Sequence, residues 1–263
     1  MLVSVIASGS KGNATLIKSK NANVIVDLGI STKSLAAALS DFSLSLDDLS
    51  AVFITHSHID HFAGLNTFLK RRNIPLFASE ETISSICYAL DNKNNEGIKE
   101  ADWNCISPGS KFIYRDLSIT PFEVPHDANG ALAYTFEDES SKLGFVTDIR
   151  CITNSVKFHL NNCDALVLEM NHDVRMLMDS DRTQLLKTRI SSKLGHLSND
   201  QAIEFLEELE TGRLKYFFPA HISGDCNDPS CVKSSILSCE KLRSLNVVMT
   251  SQTEHTQLID ITC

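Results

Sequence analysis

The sequence predicts an α/β protein of the α+β kind, a four-layer αββα sandwich in which two β-sheets pack face to face with helices outside. Three observations carry that expectation. Strand-prone runs precede helical ones in both halves of the chain, the run Ala51-Val52-Phe53-Ile54-Thr55 is apolar throughout as in strands buried on both faces, and no repeat or low-complexity tract interrupts the order. At 263 residues, with 43% hydrophobic and 22% charged side chains, there is apolar material for a large core, and one domain spanning residues 1–263 is the expectation.

In chain order, Val3 to Ala7 reads as a strand, Ser8-Gly9-Ser10-Lys11-Gly12-Asn13 as a tight turn, and Ala14-Thr15-Leu16-Ile17 and Asn23-Val24-Ile25-Val26-Asp27 as further strands. Thr32 to Leu39 has helical character with Ser31 or Thr32 as cap. After the Ala51–Thr55 run come a helix at Ala63 to Arg72, a short strand at Ile74 to Ala78 and a helix at Glu80 to Leu90. Asp91-Asn92-Lys93-Asn94-Asn95-Glu96-Gly97 reads as a surface loop rather than a domain boundary. Strands dominate from Lys111 to Thr147 and return at Ala165 to Glu169 and Tyr216 to Pro219, with a helix near Asn199 to Glu210.

The formal net charge of −9 argues against a protein that coats nucleic acid, which needs Lys and Arg to neutralise phosphates. It does not exclude a nucleic-acid substrate, because bound divalent cations would reverse the local sign inside a cleft. The apolar start Met1 to Ala7 is too short for an export signal, and no stretch approaches the roughly 20 apolar residues that cross a bilayer. A soluble, cytoplasmic protein with no membrane contact is expected. The eight cysteines are scattered without a C-x-x-C pair, and the spacing of Cys226, Cys231 and Cys239 fits no zinc finger, so free thiols are expected.

The chemistry concentrates in Thr55-His56-Ser57-His58-Ile59-Asp60-His61, three imidazoles and a carboxylate within six positions after an apolar strand. In an extended segment His56 and His58 project to one side and can share a cation, while Asp60 and His61 at the start of the next helix face a neighbouring position. Nitrogen and carboxylate donors suit zinc, manganese or iron, and the lack of nearby cysteine argues against a structural zinc site. Without a metal, such crowding would leave polar groups unpaired or repelling.

The segment H-x-H-x-D-H after an apolar strand resembles the signature of the metallo-β-lactamase fold. The resemblance implies three further ligands in order, matched by His126 in Val124-Pro125-His126-Asp127, Asp148 in Phe145-Val146-Thr147-Asp148, and His221 in Phe218-Pro219-Ala220-His221. It further implies two divalent ions, one held by His56, His58 and His126, the other by Asp60, His61 and His221, with Asp148 between them. The chain is similar over nearly its whole length to the YycJ/WalJ-like branch, related to RNase Z and RNase J type nucleases. The marks of that branch are Ala7 to Asn13, Val124 to Asp127, Leu168-Glu169-Met170-Asn171-His172-Asp173, Leu186 to Ile190, Gly195-His196-Leu197-Ser198-Asn199, His221-Ile222-Ser223 and Asn227-Asp228-Pro229. Two departures are Cys226, where Asn is expected, and Asp181-Arg182-Thr183, where Tyr-Pro is expected.

The resemblance implies phosphodiester hydrolysis, with 5′ exonuclease action on DNA as the leading expectation. A water between two cations loses a proton near neutral pH and attacks, the same cations neutralise charge on the phosphoryl oxygens, and the leaving alkoxide then needs a proton. Asp60 and His196 are the catalytic candidates, His196 as the acid because an imidazole titrates near neutrality. Ser8, Ser10, Asn13 and His172 are the candidates for substrate binding, the first three offering donors to an anion from a glycine-rich turn. Lys187, Arg189 and Lys193 could follow a nucleic-acid backbone, whereas His159 and His255 match nothing and are taken as structural. The competing readings are a hydrolase of a small phosphodiester, thioester or lactam, and a non-catalytic or redox protein that binds metal. Oligomeric state is not legible.

Overall fold

The computed structural model describes residues 1–90, 98, 100–191, 195–210 and 212–262; the expected loop at 91–97 and Lys193 lie outside them. Strands β1 (Leu2–Ala7), β2 (Ala14–Lys18), β3 (Asn23–Val26), β4 (Ala51–Phe53), β5 (Leu76–Ala78) and β6 (Trp103–Cys105), joined at the edge by β14 (Ile259–Asp260), form a seven-stranded sheet in the order β14-β1-β2-β3-β4-β5-β6. A second seven-stranded sheet contains β7 (Phe112–Tyr114), β8 (Leu117–Glu123), β9 (Leu132–Glu137), β10 (Lys142–Val146), β11 (Ala165–Glu169), β12 (Tyr216–Ala220) and β13 (Asn246–Val247), in the order β13-β12-β11-β10-β9-β8-β7. Each sheet runs from an antiparallel meander into parallel strands: β3 to β6 in the first, β10 to β13 in the second.

Residue alternation explains why these strands read as unbroken apolar runs. Val24 and Val26 of β3 and Phe53 of β4 enter the layer between the sheets, while Ile25 and Val52 enter the layer beneath the outer helices. Between the sheets Phe53 stacks on Phe77, with centroids 4.7 Å apart, and meets Tyr134 and Phe136 edge-on. Helices α1 (Thr32–Asp41), α3 (Leu65–Leu69) and α4 (Glu80–Leu90) cover the first sheet through Leu35, Phe68 and Ile86. Helices α5 (Asn154–Leu160), α8 (Asn199–Glu208) and α9 (Pro229–Ser238) cover the second through Val156, Phe205 and Ile236. The four αββα layers are those expected.

Local boundaries differ from the sequence reading in ways that matter for the site. The strand expected over Ala51–Thr55 ends at Phe53, and the expected Ala63–Arg72 helix is shortened to α3 and preceded by a separate turn, α2 (Ile59–Phe62). Asp60 and His61 therefore lie on a single short turn of helix. Two further short helices, α6 (Val174–Asp179) and α7 (Gln184–Ser191), stand where no element was expected; Asp173 caps α6 by accepting from the N–H groups of Arg175 and Met176.

The β9–β10 turn gives a prediction about stability. Burial raises the Asp138 carboxyl, but its Oδ1 accepts N–H bonds from Ser140 (2.9 Å) and Ser141 (2.8 Å) and both hydroxyls, and with the Met1 ammonium 3.1 Å from Oδ2 these hold it down at about 2. A depressed carboxyl stabilises the fold above its unfolded value of 3.8 and loses that contribution as pH falls toward about 2. Discounted for solvent screening, Asp138→Asn is expected to lower the unfolding free energy by about 1 kcal/mol at pH 7 and by much less near pH 2. Urea titrations of both proteins at the two pH values check it.

Candidate metal centre

The expected residues arrive on one end of the sandwich because each follows a strand. His56 and His58 follow β4, His126 follows β8, Asp148 follows β10 and His221 follows β12. The backbone turns sharply there: Asp27, Asp148 and His221 have φ of 60°, 55° and 52°. Non-glycine residues rarely adopt this left-handed conformation, and three of them at one rim mark strain held by the surrounding structure.

The side chains meet in interlocking groups. The donor atoms of His56, His58 and His126 lie within 4.8 Å of one another, as do those of Asp60, His61 and His221. Asp148 forms a third such group with His56 and His61, and a fourth with Glu169, His196 and His221. Its Oδ2 is 3.2 Å from His61 Nε2 and its Oδ1 is 3.4 Å from His221 Nε2. Asp60 Oδ2 reaches the same two imidazoles at 3.5 and 3.7 Å. Cys226, Cys231 and Cys239 are free thiols and belong to none of these groups.

Behind the donors, buried acceptors fix which ring nitrogen faces inward. Asp27, wholly buried, binds His61 Nδ1 at 2.7 Å, and Thr55 Oγ1 donates to Asp27 while touching His56 Nδ1 at 3.0 Å. Glu169, also wholly buried, takes His196 Nδ1 at 2.6 Å and His221 Nδ1 at 3.2 Å, and its other oxygen accepts the N–H of Ile149. In each of these rings the Nδ1 side is engaged and Nε2 is left for the centre. Close backbone approach completes the cradle: a Cβ on Gly29 would lie 1.6 Å from the Asp60 carbonyl oxygen, so the turn after β3 tolerates no side chain there.

The electrostatics of the protein atoms divide the site in two. Burial drives His56 well below its ordinary value, helped by the neighbouring His61 charge, and burial likewise brings His126 down to about 4. Burial would lower His61 and His221 too, but Asp27 and Asp148 hold His61 well above its usual value, and Asp148 with Asp60 and Glu169 takes His221 to about 10. Against burial, which raises carboxyls, His221 and His61 hold Asp148 well below its ordinary range.

Whether these residues suit a cation is answered by atoms left without partners. His56 Nε2, His221 Nε2 and Asp148 Oδ2 are buried and make no hydrogen bond. Buried polar atoms normally find partners; His56 and His221 fall in different groups that Asp148 joins, and divalent ions with nitrogen and carboxylate ligands would satisfy all three atoms. The donor set fits divalent metal ions.

A cleft of about 250 Å³ opens over this cluster, lined by His58, His126, His196 and His221 together with Ser10 and Arg182. His196, 26% exposed, thus reaches the open side, and Glu169 and Asp148 raise its pKa against the lowering effect of burial. The residues expected at the substrate are placed unequally. Ser10 lines the cleft, whereas the Ser8 hydroxyl accepts the His221 N–H at 2.7 Å, and Asn13 Nδ2 lies against the donor atoms themselves, 3.2 Å from Asp60 Oδ2 and 3.0 Å from His61 Nε2, without lining the cleft. His172 is 2% exposed, is lowered by burial to about 4 and does not line the cleft; it pairs by its backbone with Ser198. His159 stacks on Phe122 and His255 pairs with Asp41, outside the clustered groups.

Residues that the sequence did not single out for the site are Asp27, Thr55 and Glu169 beneath the imidazoles and Arg182 at the mouth. Asp27 carried one available signal: like Asp148, it is an acid ending an apolar strand.

A seven-on-seven αββα sandwich whose strand tips gather histidine and aspartate defines a class, and the family model for the beta-lactamase superfamily domain matches residues 22–222. The chain belongs to that superfamily and has the metallo-β-lactamase fold. Within it, the chain is 30% identical over 233 residues to the exodeoxyribonuclease YycJ of Bacillus anthracis, covering 89% of this chain and 86% of that protein. It is also 30% identical over 225 residues to the exodeoxyribonuclease WalJ of Streptococcus pneumoniae, covering 85% and 82%. The fold matches that of Zn2+-bound PqqB from Methylobacterium extorquens with a TM-score of 0.73 at 16% identity, over 99% of this chain and all of that one.

Proposed function

We propose that the protein is a binuclear metal-dependent phosphodiesterase acting on DNA as a 5′ exonuclease, with residues 1–263 as a single domain. The observation that carries this is the convergence of His56, His58 and His126 in one group and Asp60, His61 and His221 in another, with Asp148 reaching both. The likeness to exodeoxyribonucleases over more than four-fifths of the chain supports a nucleic-acid substrate. Among the described residues no helix is long and apolar enough to cross a membrane, and with the free thiols this supports a cytoplasmic location.

His56, His58 and His126 would hold one ion and Asp60, His61 and His221 the other, with Asp148 shared. Zinc, manganese or iron there would supply Lewis acidity, lowering the pKa of a water and neutralising charge on the phosphoryl oxygens. The protein's own groups do the rest. Asp60, held ionised by His221 and His61 despite its burial, keeps an acceptor at the reacting face. His196 carries a proton to the leaving oxygen, and Glu169, accepting from Nδ1, directs the other ring nitrogen toward the cleft. Ser10 contributes a hydroxyl at the wall.

The deciding experiment loads the purified protein with manganese or zinc and offers end-labelled DNA, RNA and bis-p-nitrophenyl phosphate. DNA is expected to shorten from its 5′ end. Cleavage of the small ester alone, with both nucleic acids intact under every metal, would replace this reading with that of a small-phosphodiester hydrolase.

A further inference from the structure

Arg182 stands where two clefts meet. It lines the cleft over the metal cluster and also a neighbouring one of about 530 Å³ that continues past Ser10 and Ser223 toward Lys11. It belongs to the Asp181-Arg182-Thr183 segment that the metal site leaves unexplained, between α6 and α7. Its Nε is buried and has no hydrogen-bond partner. Among the described residues its ion pair is with Asp225, from Nη2 at 3.0 Å, and that carboxylate is 78% exposed.

These contacts do not balance. A buried N–H without an acceptor gives up its hydration for nothing, while a pair with an exposed, solvated carboxylate returns little. A guanidinium held in that state at a passage between clefts is completed by an anion, and its planar fork suits two phosphate oxygens at once. The other two carboxylates lining these clefts are engaged: Asp127 with Arg189, and Asp228 as the cap of α9, accepting from the Ser230 N–H. With a net charge of −9, attraction of a polyanion to this face has to be local.

We propose that Arg182 receives the phosphate next to the one being cleaved, making this junction an anion subsite that selects substrates with at least two phosphates. The proposal rests on the phosphodiesterase reading for its order of events: the phosphate being cleaved lies over the cation cluster, and its neighbour along the strand reaches the passage toward Lys11. A single diester with no second phosphate leaves the guanidinium without its partner.

The test compares thymidine dinucleotides carrying one phosphate (TpT), an added 5′ phosphate (pTpT) or an added 3′ phosphate (TpTp), using metal-loaded wild type, Arg182→Gln and Arg182→Lys. Wild type is expected to favour one of the two-phosphate compounds over TpT in kcat/KM by about tenfold or more, the size of one charge-assisted hydrogen bond. Arg182→Gln should bring that ratio close to one, and Arg182→Lys should restore part of it, since charge returns without the fork. A wild-type ratio near one, or a ratio that Arg182→Gln leaves intact because all three substrates fall together, overturns the proposal. If no dinucleotide is cut under manganese or zinc, the hydrolase reading has failed by itself. The subsite is then judged by competition of pTpT, TpTp and TpT against a fluorescent oligonucleotide: a two-phosphate preference lost in Arg182→Gln upholds it, and equal competition rejects it.

Discussion

Asp148→Asn is expected to remove at least about a thousandfold of the phosphodiesterase activity, on the order of 4 kcal/mol of barrier, and to lower the bound metal to one equivalent or less per chain. Asparagine has nearly the same volume and tolerates the left-handed φ of 55° at this position, so the strand tip should persist. What disappears is the negative charge between the two halves of the site, with oxygens 3.2 Å from His61 Nε2 and 3.4 Å from His221 Nε2. Two cations a few ångströms apart repel strongly in a buried setting, and a shared carboxylate is what offsets that repulsion. Elemental analysis of both proteins after identical loading, with circular dichroism as the control for folding, measures the effect. Full metal occupancy in the variant would remove Asp148 from its role.

His196→Ala is expected to cost about 10²–10⁴ in the rate of DNA cleavage while costing far less with bis-p-nitrophenyl phosphate. The contrast comes from the leaving groups. A deoxyribose alkoxide is a strong base that needs a proton as the P–O bond breaks, whereas p-nitrophenolate leaves without one. His196 lines the cleft, is held by Glu169 Oε1 at 2.6 Å, and in the protein without metal has its pKa raised by Glu169 and Asp148 against the effect of burial. Equal losses on the two substrates would show that His196 shapes the site rather than donating the proton.

The cluster of donor side chains was legible because a site of this kind compresses into sequence. Three imidazoles and a carboxylate in six positions have few other uses, and His126, Asp148 and His221 each follow an apolar strand whose tip the fold brings to one rim. The four layers were legible for a similar reason: strands buried on both faces, such as β3 and β4, read as continuous apolar runs. The supporting residues were not. Asp27 and Glu169 read in sequence only as the acidic last residues of two strands; that both are wholly buried under imidazoles depends on strand order, which no local pattern records.

Direction was equally hidden. Ser8 and Asn13 sit in the expected tight turn, but with Gly9 and Gly12 at φ of 139° and 145° the chain folds so that the hydroxyl meets the His221 N–H and the amide meets Asp60 and His61. Helices α6 and α7 are six and eight residues long, too short for a clear periodic signal, yet they frame the segment carrying Arg182.

Seven side chains far apart in sequence are proposed to surround a pair of divalent ions, and anomalous diffraction from crystals of the protein loaded with manganese or zinc would locate those ions. Two peaks are expected a few ångströms apart, one among His56, His58 and His126, the other among Asp60, His61 and His221, with Asp148 contacting both. Peaks elsewhere, or none between these residues, would contradict that arrangement.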